Sequence, residues 1–548
     1  MAKPEYKPLL YTTTMRNPER LKYMLFILAK FEGQILEDDL ATRIVGETIR
    51  YGLYRPVNQS EAIKLKWSTT PKGVFSEYIL TDEEVNYMLL KNPQQHKEAG
   101  FAKGFPSRFA TIYDLHKELG LAYFTPKKPI FISELGKHLL KSIEVNVSGN
   151  EIMCEVVNPE YEQQVFLQAM AKSQRKNPFV RVLNDNIPLI LLLQTIKLLN
   201  ADSNLNGTGI SRKELLLLIF WKNNNAQALY ERIVRLRKEF GYNPSDEVII
   251  DICIDEIMEG KYKKFDPKSV LVDYPDDLIR KMRITGLISL RGAGRFVDIN
   301  KIELEKVEYV LKQYSNYQHF TSETAYFNHI ATLDKNLIQI KSKSVNATNA
   351  EKLLSNWLKQ YKWDSIKKEL GILASNGTSK DSILKLIAAP SRLEFLTALA
   401  IKAKIPNVRV LPNYSCDDEG LPTSTAGGNK GDIECYEQQN GILVEVTMAT
   451  GRQQTMMEIW PIERHLTDFQ RERNAQCVFV APSIFSDSLR QIQFVSYQSN
   501  GTKEIRPYAI NDFVAFLEKT QKLYLKKYDI GNEEICIAAE PCATYKKN

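Results

Sequence analysis

Gly431-Asp432-Ile433-Glu434-Cys435-Tyr436 and Ile442-Leu443-Val444-Glu445-Val446-Thr447-Met448 stand either side of Gln438-Gln439-Asn440-Gly441. Two apolar, β-branched runs separated by a turn that ends in Asn-Gly predict a β-hairpin. A loop over 438–441 would set Asp432 opposite Thr447 and diagonal to Glu445. Alternation then puts Leu443, Glu445 and Thr447 on one face, and Ile442, Val444, Val446 and Met448 on the other. A carboxylate inside so apolar a strand is costly unless it is paired, hydrogen-bonded or bound to a cation. Asp432 and Glu445 brought together would repel each other, and a divalent metal removes that conflict. Carboxylate oxygens are hard ligands that suit Mg²⁺, which keeps several waters and bridges to phosphate oxygens. Such an ion lowers the pKa of bound water and stabilises charge on a phosphate.

An Asp, a hairpin and then Glu-x-Lys is the core of the PD-(D/E)xK nucleases. Here the order is Asp432, twelve residues, then Glu445-Val446-Thr447, with Thr447 where the lysine is expected. Taken alone, that pattern is also met by the exposed face of an edge hairpin.

Working outward, the 548 residues are 43% hydrophobic, enough for several cores, and carry a net charge of +7. That mild basicity permits nucleic-acid binding without requiring it. The seven cysteines include no Cys-x-x-Cys pair, and no His/Cys cluster has zinc spacing, so reduced thiols are expected. Met1–Pro8 lacks the apolar stretch of a secretory signal, and the apolar runs at 187–193 and 215–221 are too short to span a bilayer. A soluble cytoplasmic protein with no membrane partner is expected.

Asn17 and Pro18 are placed to start a helix carrying Leu21, Met24, Leu25 and Leu28, closed by Gly33. Two later stretches share one order: helix, Gly-Leu, strand, basic turn, strand, helix. The first runs from a helix over 108–119 through strands over 121–124 and 130–132 to a helix capped by Ser133. The second runs from a helix over 277–284 through strands over 287–290 and 296–299. This is the order of a winged helix, whose hairpin presents basic residues to phosphates or the minor groove. Lys127 and Lys128 lie in one turn, Arg291 and Arg295 in the other. Two ordinary α/β pieces with solvated hairpin tips would share the pattern. Between them, 186–199 and 211–240 read as helical. Arg235 and Lys238 share a face there that suits solvent or phosphate. A charged helical stretch follows from 301 to 373, and Ser375-Asn376-Gly377-Thr378-Ser379 breaks it. The expected organisation is a DNA-recognition region over 1–315 with winged-helix subdomains at about 1–150 and 180–315. A helical linker over 316–378 and an endonuclease domain over 379–548 complete it. The fold class is thus multidomain and mostly α, with an N-terminal winged-helix region and a C-terminal α/β, PD-(D/E)xK-like domain.

The series Thr425-Ala426-Gly427-Gly428-Asn429-Lys430-Gly431-Asp432, Val444-Glu445-Val446-Thr447, Met457-Glu458, Pro461 and Arg464-His465 resembles the AlwI family of type IIS restriction and nicking endonucleases. That family shows A-G-N-x-x-D, G-E-V-T and M-E-x-x-P-x-x-R-H at matching spacing. Phe31-Glu32-Gly33 fits a further family segment. The resemblance is specific over 425–465 and faint elsewhere.

It implies that Asp432 and Glu445 are the metal ligands and that Glu394 enters the site from a helix. It further implies that Glu458 partly takes the place of the absent lysine, and that His465, on the same helical face, contacts the site or the phosphate. Ser391-x-x-Glu394 is also a capping box, and Glu458 and His465 would serve equally as surface groups. Lys430 is placed to meet phosphate, and Asn429 to shape the loop. Arg108, Lys117, Lys128, Arg291 and Arg295 are candidate DNA contacts, or else ordinary surface charge.

The expected activity is Mg²⁺-dependent hydrolysis of double-stranded DNA a few bases outside a short asymmetric site, such as the GGATC and GAGTC read by family members. A transient homodimer or a second cleavage subunit would cut the other strand. A cognate methyltransferase would be a functional rather than physical partner. The alternatives are strand-specific nicking and non-catalytic DNA-binding regulation.

Overall fold

The computed structural model describes residues 4–11, 17–68, 70–98, 100–180, 182–205, 207–260, 266–343, 347–427 and 430–525. Asn429, Cys536 and Cys542 lie outside the described residues.

The chain opens with α1 (Arg20–Ala29), α2 (Asp38–Arg50), α3 (Glu61–Ser68), α4 (Asp82–Lys91) and α5 (Phe105–Glu118). Leu21, Met24, Leu25 and Leu28 of α1 are buried as the periodicity predicts. Asn17 is not the cap, however, because α1 starts after Glu19 with no side-chain cap bond. A short hairpin, β1 (Ala122–Tyr123) and β2 (Phe131–Ile132), leads to α6 (Glu134–Leu140), which Ser133 caps by accepting from the Gly136 amide. The antiparallel pair β3 (Ile143–Ser148) and β4 (Glu151–Val156) follows, then α7 (Pro159–Lys172).

The second stretch begins with α8 (Pro188–Ala201), β5 (Ile210–Ser211), α9 (Leu215–Phe220), α10 (Ala226–Phe240) and α11 (Asp246–Asp251). The sequence predicts one helical run over 211–240, but the structure splits it. Trp221 leaves helical geometry, and the Asn225 side chain caps α10 by accepting from the Ala228 amide. Asparagine favours such local bonds over helix interiors. Then come α12 (Tyr274–Arg283), β6 (Ile288–Arg291), β7 (Phe296–Ile299) and α13 (Leu304–Tyr314). β5, β7 and β6 form an antiparallel three-stranded sheet in that order. Helices α14 (Glu323–Ala331), α15 (Lys335–Gln339), α16 (Ala347–Gln360) and α17 (Trp363–Ala374) make the predicted helical stretch.

The last part holds α18 (Ala389–Lys404), β8 (Arg409–Pro412), β9 (Tyr414–Cys416), β10 (Pro422–Ala426), β11 (Ile433–Glu437), β12 (Asn440–Val446), α19 (Gly451–Met457), α20 (Ile459–Gln470), β13 (Asn474–Ala481), α21 (Ser486–Gln498), β14 (Ile505–Ala509) and α22 (Ile510–Lys519). Five strands make one sheet in the order β14-β13-β12-β11-β8. β8, β11 and β12 are antiparallel, while β12, β13 and β14 are parallel.

Alternation along these strands serves two cores. Ile442 and Val444 of β12, with Val478 and Val480 of β13, join the large core that includes α18 and α22. Leu443, Cys477 and Phe479 face the other way, onto Ile459, Ile462 and Leu466 around α20. The protein is therefore a mixed helical and α/β, multidomain molecule. Among the described residues no helix is long and apolar enough to cross a membrane.

Candidate active site

The predicted hairpin forms, but its register differs from the expected one. Glu437 pairs with Asn440 and Ile433 with Val444, so the loop is only Gln438-Gln439. Gln438 takes the left-handed backbone the tight turn needs, at φ 57°, and Asn440-Gly441 belongs to β12. This slides the strands by two residues. Asp432 therefore sits across from Glu445 rather than Thr447, while every residue keeps its face. The two carboxylates are closer than the sequence predicted.

Each acidic group is tied to a different element. Asp432 Oδ2 accepts from the Val446 amide at 2.8 Å. Glu445, only 6% exposed, points to α20 and pairs with His465 Nδ1 through Oε1 at 3.0 Å. Glu394 lies within α18, which has Ala388 as its N-cap with no side-chain cap bond, so the capping-box alternative fails. Its carboxylate accepts from the Ala426 amide at 3.3–3.4 Å, at the end of β10. Glu458, between α19 and α20, accepts from the Thr447 hydroxyl at 2.7 Å. α18, the residue just ahead of β11, β12, the α19–α20 junction and α20 thus bring together Glu394, Asp432, Glu445, Glu458 and His465, five residues chosen from the sequence.

The electrostatics follow from this convergence. Burial pushes the Asp432 carboxyl well above the carboxylate range, and the neighbouring Glu445 and Glu394 push it further. Burial likewise raises Glu394, with Glu445 adding to the shift. Glu445 is raised by burial and drawn back by His465. Glu458 is raised to about 7 by burial, opposed by the Thr447 hydrogen bond and reinforced by Glu155 and Glu445. Acids kept this close together, with their charged forms disfavoured, would be relieved by a nearby positive charge.

Among the described residues no group of three or more His, Cys, Asp or Glu forms a ready-made metal cage. The donors fit a hard cation that takes one or two carboxylates and completes its shell with water and phosphate.

Glu155 was invisible as a neighbour from the sequence, being about 300 positions from Glu458. The β3–β4 pair reaches the start of α19. The Arg452 amide donates to Glu77 Oε1 at 3.0 Å, its guanidinium pairs with Glu151 at 2.6 Å, and Gln453 donates to the Cys154 carbonyl at 3.3 Å.

The basic candidates divide. Lys128 is exposed. Arg295 is exposed and donates to the Gly292 carbonyl within its own turn. Lys430, beside Asp432, is exposed. Arg108 is held by Gln94 at 2.7 and 3.0 Å, and Lys117 pairs with Glu323 at 3.0 Å. Arg291 meets three carboxylates, Asp298 at 2.7 Å, Asp418 at 2.7 Å and Glu419 at 2.5 Å, so in this structure it faces β9–β10 rather than open solvent. On α10, Arg235 and Lys238 are exposed as expected, while Arg237 is buried against Glu214.

Comparison with known proteins gives one family. A family model described as AlwI restriction endonuclease matches residues 117–389 and 374–516. No curated protein matches the chain. Among solved structures, the small subunit (R.BspD6I2) of the heterodimeric restriction endonuclease R.BspD6I is 22% identical, covering 28% of this chain and 76% of that one, with a TM-score of 0.24. Restriction endonuclease FokI is 10% identical, covering 97% of this chain and 98% of that one, at a TM-score of 0.23. FokI bound to DNA is 11% identical, covering 94% and 96%, at 0.21. Superpositions this loose carry no argument about the fold, so the family match stands alone.

Proposed function

Because this chain belongs to the AlwI restriction endonuclease family, and is therefore a site-specific nuclease, we propose that it binds a short asymmetric sequence in duplex DNA and hydrolyses phosphodiester bonds a few bases outside it with Mg²⁺. The observation that carries this is the meeting of Asp432 with Glu445 across one strand pair, ringed by Glu394, Glu458 and His465.

Asp432 and Glu445 would hold the cation. When bound, it would stabilise charge on the scissile phosphate and make a coordinated water a better nucleophile. The Val446 amide fixes one Asp432 oxygen, and His465 fixes Glu445, so neither ligand has to be ordered at the moment of reaction. Glu394, anchored by the Ala426 amide, orients water beside Asp432. Glu458, fixed by the Thr447 hydroxyl, is the further carboxylate placed to take or give a proton beside the reacting groups. Lys430 is exposed beside Asp432 and meets the DNA backbone.

The N-terminal half would grip the DNA through two winged helices, over about 1–150 and 180–315, with 316–378 linking them to the nuclease domain at 379–548. Strand order supports this. β5 pairs with β7, and β7 with β6, a small antiparallel sheet of the kind a winged helix would need. In the first unit Ile35, ahead of α2, bridges Pro129 at the edge of β2, repeating that pairing in miniature. Phosphate contacts from exposed Lys128 and Arg295 would supply affinity and register. One active site cuts one strand, so a double-strand break needs a transient second copy or a second cleavage subunit. A cognate methyltransferase would protect the host site.

The test is digestion of plasmid DNA with Mg²⁺ by wild type and Asp432→Ala, followed by run-off sequencing of the ends. Discrete fragments with a fixed offset from wild type and none from the variant are expected. A smear, or a wild type that binds DNA without cutting it, would remove the proposal. Ends on one strand only would make the enzyme a nickase.

A further inference from the structure

Thr447 stands where the Asp–hairpin–Glu-x-Lys core has its lysine, two residues past Glu445 and on the same strand face. A threonine supplies no charge and cannot reach a phosphate as lysine does. What it does here is set by its neighbours. Its amide donates to the Val480 carbonyl at 3.0 Å, continuing the parallel ladder of β12 with β13. Its hydroxyl oxygen accepts from the Ala449 amide at 2.9 Å. The hydroxyl carries one proton, and it goes to Glu458 Oε1 at 2.7 Å. That oxygen of Glu458 is therefore kept as an acceptor.

The other end of the contact is fixed as well. The Glu458 amide donates to the Gln454 carbonyl at 3.1 Å. The Gln454 side chain is buried and ties α19 to Ser483 at 2.9 Å and Phe485 at 2.8 Å. Strand and helix are each held by the body of the sheet, and the Thr447 hydroxyl joins them at the site.

We infer that Thr447 is a positioning residue for cleavage, holding the Glu458 carboxylate toward Asp432 and Glu445 where related cores place a lysine. This rests on the nuclease function proposed above. Thr447→Val keeps the branched shape and removes the hydroxyl, while Thr447→Ser keeps the hydroxyl. The expected result is a kcat about 10–100-fold lower for Thr447→Val, with DNA affinity unchanged and the melting temperature down by only a few degrees, and near-normal kcat for Thr447→Ser. Adding Thr447→Val to Glu458→Gln should slow cleavage no further than Glu458→Gln alone, since both changes break one contact. A crystal structure of metal-free Thr447→Val protein should find the Glu458 carboxylate turned from its wild-type position.

A Thr447→Val enzyme as fast as wild type, a Thr447→Ser enzyme as slow as Thr447→Val, or an unmoved Glu458 overturns the inference. So does a Thr447→Val protein that melts far earlier than wild type and binds DNA poorly, which would make Thr447 a fold element. Failure of the nuclease proposal looks different, because Asp432→Ala would then leave all DNA processing unchanged.

Discussion

At the scale of single residues, the site is a group of acids held closer than their charges favour. Burial raises Glu394, Asp432 and Glu445, and takes Glu458 to about 7. A carboxyl whose folded pKa lies above its unfolded value favours the folded state while it is protonated. That contribution is complete below the unfolded value and is lost as pH rises through the folded one. For Glu458 the window runs from 4.5 to about 7. With a chelator present, the melting temperature should therefore fall between about pH 5 and about pH 8. Mg²⁺ should recover more of it at the alkaline end, where the carboxylates are free to bind it. A flat or rising profile in chelator would count against the cluster. Asp432, Glu445, Glu458 and His465 could be picked out because the family-like series spans them at fixed spacing, whereas Glu394 lies upstream of that series and was named only through the resemblance. The state of the basic candidates was not legible. Arg291 lies over a hundred positions from Asp418 and Glu419, and such partners leave no local pattern.

At the scale of elements, the hairpin decides whether Asp432 and Glu445 meet. Its existence and its faces could be read from alternation, but its register could not. The Asn-Gly pair suggested a turn, while the chain turns earlier, at Gln438, against the usual preference for glycine or asparagine at positive φ. The split between α9 and α10 was missed for a related reason: the polar stretch before Asn225 caps a new helix rather than continuing the old one. Gly431 shows how tight the hairpin is. A Cβ there would overlap Leu443 Cδ1 and lie 2.8 Å from Glu445 Oε1. Leu443 can yield, but Glu445 would have to move from where His465 holds it. Gly431→Ala should thus cost about 1–3 kcal/mol of stability while lowering kcat at least 10-fold, with DNA affinity kept. Stopped-time cleavage assays beside filter binding would check this, and a fully active variant would show that Glu445 has more freedom than described.

At the scale of the whole molecule, the two halves are joined by buried charge as well as by a core that runs from α1 to α22. Arg283 of α12 pairs with Asp417, after β9, at 2.8 Å, with side chains 5% and 0% exposed, and also donates to the Pro422 carbonyl. Removing one partner of such a pair strands the other. Arg283→Ala should cost about 3 kcal/mol in denaturant unfolding, whereas a loss under about 1 kcal/mol would mean Asp417 is readily neutralised or hydrated. Caps, glycines and periodicity marked α1, the hairpins β1–β2, β6–β7 and β11–β12 and the helices beside them, whereas α2–α4, β3–β4, β8–β10 and the parallel strands β13 and β14 went unread. How α12 packs onto the β9–β10 loop, and how β3–β4 reaches α19, was not legible either, since neither surface is marked by its own sequence. The most direct test is anomalous diffraction from crystals soaked in Mn²⁺, which substitutes for Mg²⁺ at oxygen ligands. A peak bound by both Asp432 and Glu445 is the predicted result; Mn²⁺ held elsewhere, with those two carboxylates empty at saturating metal, would contradict the account.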